Sequence, residues 1–172
     1  MIRRWLAPLL VGLLIALGTY YAALLATPNL LMAAAVKRVG AGGFNRMTHG
    51  PLATDKARAI VRPSPDLAYS TCPFDLTNGP VTVHVARVPA PYWSLSVFDY
   101  RTDVAFVSNN GQTGGGAIDL IIAQTGQPVA AGHSIVRVDG AKGIALIRIL
   151  VEDRSRFPAI DAARRASTCR AS

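Results

Sequence analysis

The stretches VTVHVARV at 81–88 and WSLSVFD at 93–99 decide how this chain folds. In the first, Val81, Val83 and Val85 alternate with Thr82, His84 and Ala86; in the second, Trp93, Leu95 and Val97 alternate with Ser94 and Ser96. A period of two marks a strand with one face in a core and the other toward water. Working outward, short runs at 59–62, 104–107, 117–123, 134–138 and 144–151 are rich in β-branched residues and are set apart by Gly, Pro and Asn clusters. Asn110-Gly111 and Asp139-Gly140 suit the positive-φ corners of tight hairpins. The predicted fold class is therefore mainly β, an antiparallel β-sandwich or open barrel. A short C-terminal helix at 159–166, with Pro158 at its first turn, closes the chain.

Toward the N-terminus the pattern changes. Residues 5–27, WLAPLLVGLLIALGTYYAALLAT, carry no charged side chain and come directly after Arg3 and Arg4. A bilayer core is crossed by about 20 apolar helical residues, so the lipid bilayer is the expected partner of residues 5–27. The run exceeds the apolar core of a cleavable signal, and small-x-small sites such as Ala33 to Ala35 lie beyond a full span. A retained transmembrane signal-anchor is expected over 1–28. A first apolar segment this close to the N-terminus exports the domain behind it, although Lys37, Arg38 and Arg46 offset Arg3 and Arg4. The expectation is a single-pass protein of the inner (plasma) membrane, with a cytoplasmic amino terminus and a periplasmic or extracytoplasmic domain. Pro28 and Asn29 then leave two readings of residues 29–43. One is a separate interfacial helix capped by Asn29 and ending near Gly40; the other is the same helix continued with a kink. Ala41-Gly42-Gly43 forms a joint before a domain at 44–172.

The 172 residues, less an anchor, suffice for one domain with its own core. The net charge is +8; with Arg3 and Arg4 set aside, 16 Lys and Arg remain against 10 Asp and Glu. This balance favours anionic lipid headgroups. No helix-turn-helix or RNA-binding signature accompanies it, so nucleic acid is not an expected partner. Cys72 and Cys169 form no CxxC; they can pair in an exported domain and stay reduced otherwise. GxSxG, P-loop, HExxH and GxGxxG motifs do not occur, and Gly114-Gly115-Gly116 precedes no Lys. His49, His84 and His133 share no ligand spacing, so neither a metal nor a cofactor is expected; His84 falls on the polar face of its strand. Arg148 interrupts an apolar strand, either on the solvent face by alternation or as a buried partner of a carboxylate.

The densest polar-aromatic stretch is RPSPDLAYSTCPFDL at 62–76. Arg62, Asp66, Tyr69, Ser70 and Asp75, with Tyr92, Asp99 and Arg148 from elsewhere, make up the candidate ligand or structural cluster. Asp and Ser among prolines lock turns through Asx and ST motifs. Gathered in a pocket, carboxylates and phenols could instead bind a ligand or move protons, with Arg62 or Arg148 as an anion clamp.

At this stretch the chain resembles the family known as domain of unknown function 1254. The residues that carry the likeness are Val61-Arg62-Pro63-Ser64-Pro65-Asp66-Leu67-Ala68-Tyr69-Ser70, then Asp75-Leu76-Thr77-Asn78-Gly79-Pro80. They continue with Pro91-Tyr92-Trp93-Ser94-Leu95-Ser96-Val97-Phe98-Asp99 and Arg148-Ile149-Leu150-Val151. Ser64 stands where the family usually has Asn, and Leu67-Ala68 replaces Thr-Leu. The resemblance implies a β-rich sandwich and no established reaction. It also implies a second β domain, of the family numbered 1214, which longer relatives carry on the same chain and which a separate polypeptide would supply here. The preferred reading is thus a membrane-anchored envelope module that binds a partner protein, with Tyr92, Trp93, Tyr100 and Phe106 as candidate interface aromatics. A small ligand-binding or catalytic β domain using the Asp/Tyr cluster is the alternative, and whether the chain is an enzyme is left open.

Overall fold

The computed structural model describes residues 2–54, 63–129 and 134–172. Helix α1 (Ile2–Val39) has 38 residues, about 57 Å at 1.5 Å per residue. It runs without a break through Pro8 and Pro28. Pro28 offers no N–H to the preceding turn, and beside it the Thr27 hydroxyl donates to the Ala23 carbonyl at 2.6 Å. Residues 29–39 are thus the same helix continued. A 3-10 turn at Gly40–Gly42 ends it, and Gly43 turns the chain away at φ 111°.

The domain beyond this turn packs two sheets face to face. The strands are β1 (Thr48–His49), β2 (Leu67–Asp75), β3 (Val81–Val85), β4 (Trp93–Phe98), β5 (Val104–Asn109), β6 (Ile118–Gln124), β7 (Ser134–Val138), β8 (Lys142–Leu150) and β9 (Thr168–Ala171). One sheet has the order β1-β2-β8-β4-β5 and the other β7-β6-β3-β9. Pairing is antiparallel except between β6 and β7, which run parallel. The predicted β-sandwich with an N-terminal apolar helix is the observed architecture, and helix α2 (Phe157–Arg164) is its short C-terminal helix.

Alternation explains the core. Val81, Val83 and Val85 are buried while Thr82 and His84 stay half-exposed. Facing them are Ala68, Cys72 and Phe74 of β2, Trp93, Leu95 and Val97 of β4, and Ala145, Ile147 and Ile149 of β8. Ile160 of α2 caps one margin of this core.

Three local expectations meet a different outcome. Asn110-Gly111 comes after β5 and Asp139-Gly140 after β7, and each leads into a strand of the other sheet. They carry the chain between layers and close no hairpin, because tertiary pairing decides which strands a turn joins. The composition of 62–76 suggests a proline-stiffened polar corner, yet Leu67–Asp75 is a nine-residue strand. Its buried positions Ala68, Ser70, Cys72 and Phe74 do alternate, but three of them are small and weaken the apolar signal. Pro73 is tolerated there because its carbonyl accepts from the Asn45 N–H at 2.9 Å. Its peptide groups therefore face the β1 edge, and the N–H that proline lacks would not have joined the ladder with β8. Strand β9 has no counterpart among the runs predicted from sequence, and the run expected at 59–62 lies outside the described residues.

One covalent contact joins the two layers, and one close glycine contact fixes the packing within the five-stranded sheet. Cys72 of β2 and Cys169 of β9 form a disulfide that ties one sheet to the other across 97 residues of chain. Gly143 of β8 lies opposite Phe74, and a Cβ at this glycine would collide with the Phe74 ring and the Phe98 carbonyl oxygen.

Both contacts can be tested by substitution. Gly143→Ala is expected to lower unfolding stability by about 2 kcal/mol through overpacking, whereas Gly42→Ala, where a Cβ meets nothing within 4 Å, changes it by less than about 0.5 kcal/mol. Thermal denaturation of the detergent-solubilised chain measures both. Cys72→Ala/Cys169→Ala should cost about 4 kcal/mol, the loop-closure contribution of so long a separation, read as a lower denaturation midpoint in urea.

Candidate functional site

The outer face of the five-stranded sheet, away from the core, carries an unusual polar row. Tyr69 on β2 pairs with Arg148 on β8, Arg148 with Ser94 on β4, and Ser94 with Asn109 on β5. Cross-strand partners share a face, so these four side chains line up across the sheet. The Arg148 guanidinium donates through Nη2 to Ser96 Oγ at 3.1 Å. Its Nε and the Ser94 hydroxyl are buried, and neither has a hydrogen-bond partner among the described residues. Ser94 is 1% exposed. A buried polar group left unpaired costs about 1–3 kcal/mol, a cost this row carries within the sheet, while the rest of the half-buried Arg148 guanidinium reaches the open face. Around it the face is apolar and open: Val104 is 58% exposed and Val107 54%. At one end the face is covered, where Met32 and Val36 of α1 pack on Ile144 and Phe98.

A second polar cluster lies at the junction of α2 with β1 and β2. Arg164 is fully buried. Its guanidinium donates to the Tyr69 carbonyl at 2.7 Å, to the Gly50 carbonyl, to Ser70 Oγ at 3.4 Å and to the Asp161 carboxylate, at 2.8 Å from Nε. Burial alone would raise the Asp161 carboxyl, but hydrogen bonds from Arg165 and Arg164 hold it below the ordinary value. His49 Nδ1 lies 2.9 Å from Ser70 Oγ. Burial, then the charges of Arg164 and Arg165, keep the His49 pKa below its usual 6.5. With every donor directed at protein acceptors, this cluster is a structural lock. Arg164 is absent from the candidates drawn from sequence, although its i, i+4 spacing from buried Ile160 places both on the inward face of the helix.

The residues nominated from sequence fall in several places. Tyr69 and Arg148 are direct neighbours, and the Tyr69 hydroxyl accepts from the Ser64 N–H at 2.9 Å. Ser70 belongs to the Arg164 lock. Asp75 locks the turn after β2, accepting from the Thr77 N–H and hydroxyl and facing Lys142 at 3.2 Å. Burial would raise its pKa, but those hydrogen bonds and Lys142 hold it down. Asp99 closes the β4–β5 connection, accepting from the N–H groups of Arg101 and Asp103. Asp66 and Tyr92 are exposed, and their carbonyls accept from Val151 and Leu150 at the end of β8. Arg62 lies outside the described residues. Of the four interface aromatics, Trp93 is core and Phe106 packs against it, while Tyr92 and Tyr100 are exposed at opposite ends of β4. Arg148 lies on the outer face, half-buried beside serines, with no carboxylate at its guanidinium among the described residues. His84 pairs with Asp119 at 2.7 Å on the exposed side of the second sheet. Among the described residues no three His, Cys, Asp or Glu gather as a metal site.

A two-layer β-sandwich joined to a long apolar helix is the class of protein these features define. The chain belongs to the family described as protein of unknown function (DUF1254), which matches residues 44–171. No curated protein matches the sequence. Among solved structures, the VPA0106 protein from Vibrio parahaemolyticus is similar at 16% identity, with a TM-score of 0.59 over 86% of this chain and 37% of that one. A putative uncharacterized protein from Burkholderia cenocepacia matches at 14% identity and a TM-score of 0.47, over 78% of this chain and 36% of that one. The chain thus spans little more than a third of the length of these structures, and the likeness concerns the fold.

The Arg164 lock generates two expectations. Arg164→Ala removes the donor of the Gly50 carbonyl and one of the donors of both Asp161 and the Tyr69 carbonyl and should cost about 3 kcal/mol, with Arg164→Lys falling between it and wild type in thermal denaturation. The lowered His49 pKa favours the neutral ring in the folded state. Its contribution is fully present above the unfolded value of 6.5 and is lost as pH falls through the lower folded value. Urea midpoints should therefore drop between pH 7 and pH 5, and His49→Gln should flatten that slope.

Proposed function

We propose that this chain is a membrane-anchored envelope module that presents the outer face of its five-stranded sheet to a partner protein. The observation that carries the reading is the combination on that face of exposed Val104 and Val107 with the half-exposed Arg148, which has no carboxylate partner among the described residues. Apolar side chains around a desolvated arginine are the composition of interface hot spots. A backbone carbonyl or carboxylate of the partner would pair with the exposed part of the Arg148 guanidinium. The tether is α1, the one helix among the described residues long and apolar enough to cross a membrane. The Cys72–Cys169 disulfide supports an oxidising, extracytoplasmic location for the domain.

The alternative is a ligand-binding or catalytic β domain using the Asp/Tyr cluster. The engagement of Asp75 and Asp99 in backbone turns favours the partner-binding reading over it.

The test is photocrosslinking in intact membranes. A benzophenone amino acid at Val107 should yield one discrete protein adduct, one at Thr82 on the opposite sheet should not, and Arg148→Ala should reduce the Val107 adduct at least fivefold. Equal labelling from both faces would refute the docking face. Release of the chain by carbonate washing, or a C-terminal reporter active in the cytoplasm, would refute the tether and its orientation.

A further inference from the structure

Helix α1 and the sandwich enclose a groove of about 670 Å³. Its walls are apolar, with Met32, Ala33 and Val36 from the helix and Phe44 from the joint, and its rim holds Lys37 and Lys142. The Lys142 ammonium sits 5.0 Å from the Phe44 ring centroid and 3.2 Å from Asp75. Asp75 takes one of its three donor hydrogens, and with half of its side chain exposed the others remain available. Lys37 is exposed in the last turn of the helix.

The height of this groove is set by the helix. Arg4 and Lys37 are separated by about 50 Å of helix, while a bilayer with its headgroup layers is about 40–45 Å thick. A tilted helix therefore places the two cations in opposite headgroup layers, and the groove opens at the second of these. Leu30 and Leu31, 67% and 62% exposed just below, continue the lipid-facing surface up to it.

We infer that the groove holds one anionic phospholipid drawn from the surrounding bilayer. Its phosphate lies between Lys37 and Lys142, and one acyl chain runs along Met32, Ala33 and Val36 back toward the membrane. Two cations above an apolar track match the anionic head and the apolar tail of such a lipid. The inference rests on the membrane-anchored reading of α1.

The experiment uses the full chain reconstituted in nanodiscs of phosphatidylcholine with phosphatidylglycerol, released into mild detergent and weighed by native mass spectrometry. One phosphatidylglycerol per chain should be retained in preference to phosphatidylcholine. Lys37→Gln/Lys142→Gln should lose it at least tenfold, and so should Ala33→Trp, which fills the acyl track without touching charge. Arg154→Gln/Arg170→Gln, an equal charge change on exposed residues elsewhere, should retain it. Retention without lipid preference, equal loss in the Arg154/Arg170 variant, or a protein instead of a lipid captured from a photocrosslinker at Ala33 would each overturn the inference. Carbonate extraction separates the two failures: a chain released from membranes defeats the anchor, whereas a chain that stays but retains no phosphatidylglycerol defeats the lipid site alone.

Discussion

Strand β8 pairs along its full nine residues with β2 on one side, and along six of them with β4 on the other. The rest of the molecule depends on this double ladder. Its inward residues Ala145, Ile147 and Ile149 form the middle of the core. Its outward residues divide the opposite surface, Ile144 lying under the base of α1 and Arg148 standing in the polar row. A one-residue slip would exchange the two sets, setting Arg148 in the core and three apolar side chains in water. Gly143 fixes the register at the start of the strand, since only a residue without a Cβ lets Phe74 approach so closely.

The ends of the domain are secured by means other than sheet pairing. At the entry, Asn45 adopts a positive φ and its side chain bridges to the backbone of Asp75 in both directions, as donor and as acceptor. At the exit, Arg164 binds α2 to the backbone of β2 and of Gly50 just after β1, and the disulfide ties β9 to β2. All three devices converge on β2, so a strand whose composition reads as a polar corner is the one that joins the tether, the core and the C-terminal segment. The consequence for function is a rigid sheet whose outer face is covered by the helix at one end and open at the other.

Charge is used in two distinct ways across this molecule. The carboxylates of Asp75, Asp99, Asp153 and Asp161 accept from nearby backbone or side-chain donors and fix turns and one helix. Several cations, by contrast, lack a carboxylate partner among the described residues. Arg148 sits among serines, and Lys37 stands exposed at the helix end. An excess of cations beside an apolar helix favours contact with anionic surfaces.

The strands at 81–85 and 93–98 were legible because β-branched and aromatic residues alternate there with polar ones, and that alternation is a local property of the chain. The apolar helix was legible for the same reason, since 23 successive uncharged residues need no tertiary context to be recognised. Three things were decided only by packing. Pairing placed Ser94, Ser96 and Tyr69 beside Arg148, because residues separated by dozens of positions share a face only once the register is set. Layering turned two hairpin-like glycine pairs into crossovers between sheets. Burial made Arg164 a lock, since an arginine on a short helix is an ordinary surface residue until distant backbone acceptors at Tyr69 and Gly50 close around it. Local periodicity thus determined the apolar helix and strands such as β3 and β4, and long-range pairing, which no short window of sequence contains, determined the remaining edges and which side chains meet.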